Sequence, residues 1–307
     1  MNDNVDFAVY KVFGLTVRSP IPLWELPQLE ANMEDADIVI EIADLSKLWS
    51  ALVQTGKKSV VLNNLYMFQV SDIARFCVLN GNKIIVSPLT GYDDDRVSLF
   101  LLGTCMGALL MQRKILPLHG SALAINGKAY GFIGLSGAGK STLASALLKS
   151  EYQLLSDDVI AVSLSHDNTP FITPSYPQQK LWQESLKELG IGDTYRPIFN
   201  RETKFAVPVP SKFFAEPLPL AGLFELVITD NKKAETHLIQ RLERLQILLR
   251  HTYRNSLISR FRLLEWHFSM SVAIANQIGI FRLCRPKCGF TAYHLASQVL
   301  AVLNKEE

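Results

Sequence analysis

The chain has 307 residues, 48% of them apolar and 20% charged, which excludes a disordered chain and suits a soluble globule of two domains or one large one. A net charge of +2 is too small to point to nucleic acid. The charge is unevenly spread: residues 1–115 hold 10 Lys and Arg against 13 Asp and Glu, and residues 116–307 hold 21 against 16, so the basic excess lies in the later part.

No signal peptide is visible at the polar N-terminus, and the longest apolar run, Leu99–Met111, is too short to span a bilayer. Of the four cysteines, only Cys284 and Cys288 are close in sequence, and Cys-x-x-x-Cys without a second pair or a nearby His is a poor zinc site. The expectation is a cytoplasmic protein with reduced thiols and no membrane partner.

Residues 1–92 read as a β-rich N-terminal domain. Short apolar segments at 7–13, 15–17, 38–42, 59–62, 66–70, 74–78 and 83–86 are divided by turn signals such as Asn63-Asn64 and Asn80-Gly81-Asn82. The pattern predicts an antiparallel meander. Asp93-Asp94-Asp95 then opens a helical stretch over 96–114, with Leu99, Leu102, Met106, Leu109 and Leu110 on one face. The acidic run reads as a solvated N-cap rather than a metal cluster, and residues 93–115 as a connecting helix.

From residue 116 to 307 the pattern is mixed α/β. Its centre is Gly134-Leu135-Ser136-Gly137-Ala138-Gly139-Lys140-Ser141-Thr142, which matches the phosphate-cradling P-loop. Ala129–Ile133 reads as the strand entering it and Thr142–Lys149 as the helix leaving it. Small residues let backbone N–H groups turn toward an anion, and the helix N-terminus adds a favourable dipole. Gly134, Ser136, Gly137, Ala138, Gly139, Lys140, Ser141 and Thr142 are thus the expected phosphate binders. Lys140 would reach the β- and γ-phosphates, and the Ser141 hydroxyl would ligate magnesium.

Asp157 and Asp158 follow Lys140 by 17 and 18 residues, on the next strand. A right-handed crossover would set that strand close to the P-loop strand. One carboxylate can hold magnesium and the other can take a proton from an attacking hydroxyl. His119 lies 15 residues before Gly134, on a strand that an Asn126-Gly127 turn joins to the P-loop strand. That hairpin would bring His119 beside the phosphate loop. Beyond this come a Pro-rich stretch at 170–219, read as irregular apart from a short helix over 181–189, a strand at 223–228, helices at 236–251 and 258–275, a strand at 278–283 and a helix at 290–303. Lys204, Arg250 and Arg254 are candidate cations for the transferring phosphate or the substrate.

His-Gly, then a P-loop, then Asp-Asp so soon after it resembles the HPr kinase/phosphorylase group, which is related in architecture to phosphoenolpyruvate carboxykinase. Pro174-x-Tyr176-Pro177 followed by Lys180-Leu181-Trp182 is similar to chains of this group as well. The resemblance implies an α/β HPr kinase-like core using ATP, or another nucleoside triphosphate, and Mg²⁺. It implies Asp157 as base, Ser141 and Asp158 at magnesium, and His119 supporting the phosphate or orienting Asp157, with the two Asp roles open to exchange. The Glu-Ile-Arg-Gly-Leu-Gly signature of the true HPr enzymes is absent. The chain instead resembles divergent kinases of ribosomal peptide biosynthesis, including those that phosphorylate the C-terminal serine of lasso-peptide precursors. The expected activity is therefore a serine kinase acting on a precursor peptide or small protein. The alternatives are an HPr(Ser) kinase/phosphorylase and a nucleotide-dependent peptide-binding module without transfer. Proteins of this group often assemble, so a homo-oligomer is an open expectation.

Overall fold

The computed structural model describes residues 7–30, 35–192, 194–199, 201–231 and 233–306. They divide into two compact units. Unit 1 takes the chain up to Ile115 together with Arg254–Glu265, so the helical stretch 93–115 and a later excursion both belong to it. Unit 2 takes Leu116–Tyr253 and the chain from Trp266 onward.

Unit 1 contains β1 (Ala8–Val12), β2 (Leu15–Ser19), β3 (Gln28–Leu29), β4 (Ile38–Ile42), α1 (Ser46–Leu52), β5 (Ser59–Leu62), β6 (Leu65–Val70), β7 (Ala74–Leu79) and β8 (Lys83–Pro88). Among the described residues they form one eight-stranded sheet in the order β3-β1-β2-β4-β8-β7-β6-β5. The antiparallel meander holds for β5–β8, where Asn63 and Asn80 take the positive φ that tight turns need. It fails at β4, which runs parallel to both β2 and β8. The long connection between β4 and β8 is what makes parallel pairing possible there. The single helix expected over 96–114 is α2 (Asp94–Phe100), a π-helical turn at Leu101–Cys105, and α3 (Met106–Gln112). The Asp93 carboxylate caps α2 by accepting the Arg96 N–H at 3.0 Å.

Unit 2 begins with β9 (Leu116–Ile125), β10 (Lys128–Gly134), α4 (Lys140–Leu148) and β11 (Gln153–Leu164). The Pro-rich stretch is not irregular. It folds as β12 (Pro170–Thr173), β13 (Gln178–Trp182), α5 (Gln183–Glu188), β14 (Arg196–Ile198) and β15 (Arg201–Pro208). Pro170, Pro208 and Pro219 sit at or near strand ends, Pro197 is on the edge strand β14, Pro210 opens a 3₁₀ turn and the others lie in connections, all places where a missing N–H is tolerated. Strands β13, β15 and β14 make a small sheet over Leu181, Leu186 and Val207.

The remainder is β16 (Leu218–Thr229), β17 (Glu235–Leu238), α6 (Glu243–His251), α7 (Ser256–Arg260, in unit 1), α8 (Leu264–Gln277), β18 (Gly279–Pro286) and α9 (Ala292–Glu306). The helix expected over 236–251 is thus a strand and a shorter helix. The one expected over 258–275 is broken between α7 and α8, where Arg262 takes φ +59°. The large sheet runs β10-β9-β11-β12-β16-β18-β17, with β16 also paired parallel to β10. Leu143, Leu147, Phe132, Phe224 and Val299 fill one face under α4 and α9. Leu118, Ile133, Ile160, Leu223, Ile247 and Ile274 fill the other under α6 and α8. Phe132, Phe224 and Phe281 stack in a row at 5.7 and 5.1 Å, locking the three parallel strands.

Candidate active site

The β9–β10 hairpin turns on Asn126 and Gly127, both at positive φ, and its register places Gly120 opposite Ile133. His119 therefore lies beside the start of the P-loop. The strand bearing the acidic pair lies close to β10, as the crossover argument expects, but not directly beside it. Strand β9 lies between them, and β11 pairs with β9, with Asp157 opposite Ser121 and Asp158 opposite Gly120. Gly120 has to be glycine, because a Cβ there would come within 2.3 Å of the Phe132 carbonyl oxygen. Asp158 across from it has φ +76°, a left-handed conformation that Asp tolerates better than most residues.

The phosphate loop turns through Gly137 at φ +83° and Gly139 at φ +100°, the latter capping α4. Lys140 folds back so that Nζ donates to the Gly134 and Leu135 carbonyls, both at 3.0 Å. Burial lowers its ammonium to about 8, against the pull of Asp157 and Asp158. Arg285 of β18 braces the loop from behind, Nε donating to the Ala138 carbonyl at 2.8 Å. Thr142 is tied to Ser185 of α5 at 2.8 Å rather than pointed at the loop.

The two carboxylates have different partners. Asp157 is 4% exposed. Its Oδ1 accepts from the hydroxyls of Ser121 and of Ser141, the latter at 2.9 Å, and its Oδ2 accepts the Lys180 backbone N–H at 2.8 Å. All three donors are neutral. Asp158 takes a charged partner and an imidazole: Lys180 Nζ is 2.7 Å from Oδ2, and His119 Nδ1 is 3.5 Å from Oδ1. Burial works to raise the Asp158 pKa, but Lys180, then His119, hold it well below the usual carboxylate range. Burial likewise opposes the Lys180 charge, and Asp158 overrides it, raising that ammonium above its ordinary value. His119 Nδ1 is 3.0 Å from the Asp158 backbone oxygen, and its ring lies 5.8 Å from that of Tyr253. Burial first, and Lys140 second, lower the His119 pKa, so the imidazole is neutral at pH 7.

Several expectations change with this geometry. Ser141 meets Asp157, not Asp158, so the expected magnesium pair is not brought together. His119 meets Asp158, not Asp157. Of the candidate cations, Lys204 acts electrostatically on both Lys140 and Asp158 and lies 5.5 Å over the Trp182 ring. Arg250 is instead 3.8 Å from Glu225, and Arg254 belongs to unit 1, where it donates to Thr104 at 2.7 Å. Sequence reasoning missed Ser121, Lys180, Tyr253 and Arg285. Lys180 alone had a signal, because it stands in the Pro-x-Tyr-Pro…Lys-Leu-Trp run that carries the resemblance.

A magnesium nucleotide fits these residues. The loop glycines open a backbone cradle, Lys140 is a buried cation that donates to two carbonyls, and among the described residues the Asp157 carboxylate is hydrogen-bonded by two hydroxyls and an amide but makes no ion pair. Among the described residues no group of three or more His, Cys, Asp or Glu forms a metal cage. The Ser141–Asp157 pair suits Mg²⁺, which is bound through one or two protein ligands plus phosphates and water. Cys284 is buried and Cys288 exposed, both as free thiols. Among the described residues no helix is long and apolar enough to cross a membrane.

No family model matches the chain, and no curated protein matches it. Among solved structures, the Hpr(Ser) kinase/phosphatase from Coxiella burnetii aligns with a TM-score of 0.32 and 13% identity, over 62% of this chain and 95% of that one.

Proposed function

We propose that this chain is an ATP- and Mg²⁺-dependent kinase that phosphorylates a serine hydroxyl of a peptide, the C-terminal serine of a lasso-peptide precursor. One observation carries the phosphoryl-transfer part. The P-loop side chains Lys140 and Ser141 converge with Asp157, Asp158 and His119, which come from two other strands, and the link is the 2.9 Å bond between Ser141 and Asp157. A P-loop serine paired with a strand carboxylate is the set that holds magnesium in P-loop nucleotide enzymes. Ser141 and Asp157 would hold the ion, which shields the phosphate charge when bound. Lys140 would exchange its two carbonyl partners for phosphate oxygens. Asp158 and His119 then flank the position of the acceptor hydroxyl, with Asp157 in the magnesium role that the resemblance gave to Asp158. Lys204 adds positive charge on the same side. The peptide acceptor rests on the missing Glu-Ile-Arg-Gly-Leu-Gly signature and on the resemblance of the chain to divergent kinases of ribosomal peptide biosynthesis.

The test is calorimetric titration with Mg-ATP, then mass spectrometry of a synthetic lasso precursor and of HPr after incubation with Mg-ATP. Saturable heat and one phosphoryl group on the peptide serine are expected. Phosphate on HPr alone would favour the carrier-protein kinase. Binding without transfer to either would leave a nucleotide-dependent binding module.

A further inference from the structure

We infer that Nε2 of His119, and neither carboxylate, accepts the proton of the attacking hydroxyl, with Asp158 as a positioning residue. The inference rests on the kinase reading above. Asp157 is nearly inaccessible and its two oxygens already take three hydrogen bonds. Asp158 has Oδ2 committed to Lys180 at 2.7 Å. His119 is arranged differently. Its Nδ1 lies 3.0 Å from the Asp158 backbone oxygen, which can only accept, so Nδ1 carries the hydrogen. In the neutral ring Nε2 therefore holds a lone pair. It has no hydrogen-bond partner among the described residues, and the side chain is 31% exposed. A ring fixed at one nitrogen and open at the other is the arrangement a general base needs.

The surroundings agree. Lys140, Asp157 and Asp158 act on the ring directly, Tyr253 flanks it, and Lys180 and Lys204 reach it through Asp158. In the transfer step, the acceptor oxygen bonds to the γ-phosphorus as its proton passes to Nε2. The bond from the γ-phosphorus to the β–γ bridging oxygen breaks, and its electron pair leaves with ADP. The imidazolium then returns its proton to water.

The first test needs no turnover. NMR of the nucleotide-free chain, ¹⁵N-labelled at histidine, should show His119 at neutral pH as the Nδ1–H tautomer with unprotonated Nε2, assigned by loss of that signal in His119→Gln. The opposite tautomer overturns the inference. The second uses Mg-ATP hydrolysis, with water as acceptor. His119→Ala should lose about 100-fold in kcat. Its KM for Mg-ATP should stay within about threefold. Millimolar imidazole should restore about tenfold of the lost rate. A loss confined to KM, or no rescue in a variant that melts like the wild type, overturns the assignment. A wild-type chain that gives no saturable heat with Mg-ATP would sink the kinase reading itself, and the base assignment with it.

Discussion

Two buried acidic centres lie in the large sheet of unit 2, and they are built on opposite principles. Glu225 of β16 is 2% exposed and enclosed by charged and ring-nitrogen partners: the Arg282 guanidinium at 2.9 and 2.6 Å, through Nε and Nη2, on one oxygen, and His251 Nε2 at 2.8 Å on the other. Arg282 also reaches Glu243 at 2.9 Å. Burial alone would raise the Glu225 pKa, but these partners lower it. Its charge is neutralised within the protein, on the face under α6. Asp157 is equally buried, faces α4, and is held by two hydroxyls and one amide. Hydrogen bonds satisfy its geometry without cancelling its charge. A buried carboxylate matched by cations locks a fold. One matched only by neutral donors keeps its attraction for a cation from outside.

Glu225→Gln should show the largest effect on stability. It removes the buried partner of Arg282 and His251, leaving Arg282 only the more exposed Glu243, and should cost about 3–5 kcal/mol, read as a lower Tm and denaturant midpoint, with Mg-ATP affinity unchanged. Because its folded-state pKa is depressed, Glu225 contributes stability above the ordinary glutamate range and loses it as pH falls through the folded value. The wild type should therefore destabilise in acid more steeply than the variant. Loss of nucleotide binding in Glu225→Gln would erase the contrast.

Asp157→Asn should do the reverse. The two serine hydroxyls can rotate to suit an amide, so Tm should stay close to wild type. Calorimetry should show Mg-ATP affinity falling about 100-fold, the scale of one charge-assisted contact of about 3 kcal/mol, with magnesium-free ATP little changed.

A smaller, pH-dependent effect follows at Lys140. A lysine lowered to about 8 binds fewer protons in the folded chain than in the unfolded one between pH 8 and its ordinary value near 10.5. Stability from this group therefore rises with pH across that window. Thermal melts should show the wild type gaining on Lys140→Met from pH 8 to 10. A constant difference would mean that the ammonium is not penalised by burial. Arg250→Ala should change least. The side chain is 58% exposed and 3.8 Å from Glu225, so its loss should cost under about 0.5 kcal/mol and leave Mg-ATP binding intact.

The parts of the site that lie consecutively in the chain were legible. Nine adjacent residues specify the phosphate loop, and a two-residue turn predicts how His119 returns to it. Partners joined across the fold were not. Lys180 meets Asp158 only because β13 of the small sheet lies alongside β11, and nothing local at 180 states that. Arg285 reaches the loop from 147 residues away. Arg254 read as a candidate site cation because it is a basic residue of the later half of the chain, whereas the chain leaves unit 2 at this residue. In unit 1, alternation located the strands but not the parallel placement of β4, which depends on where a long connection returns.

Lys180 grips both carboxylates, one through its main chain and the other through its ammonium. The proline-bearing insert that carries it is therefore not an interchangeable specificity cassette. Grafting that region from a relative, or trimming it to make a minimal nucleotide-binding core, would leave the glycine loop whole and its acidic pair unaligned. Engineering of new acceptors should begin at the edge strand β14 and leave β13 untouched.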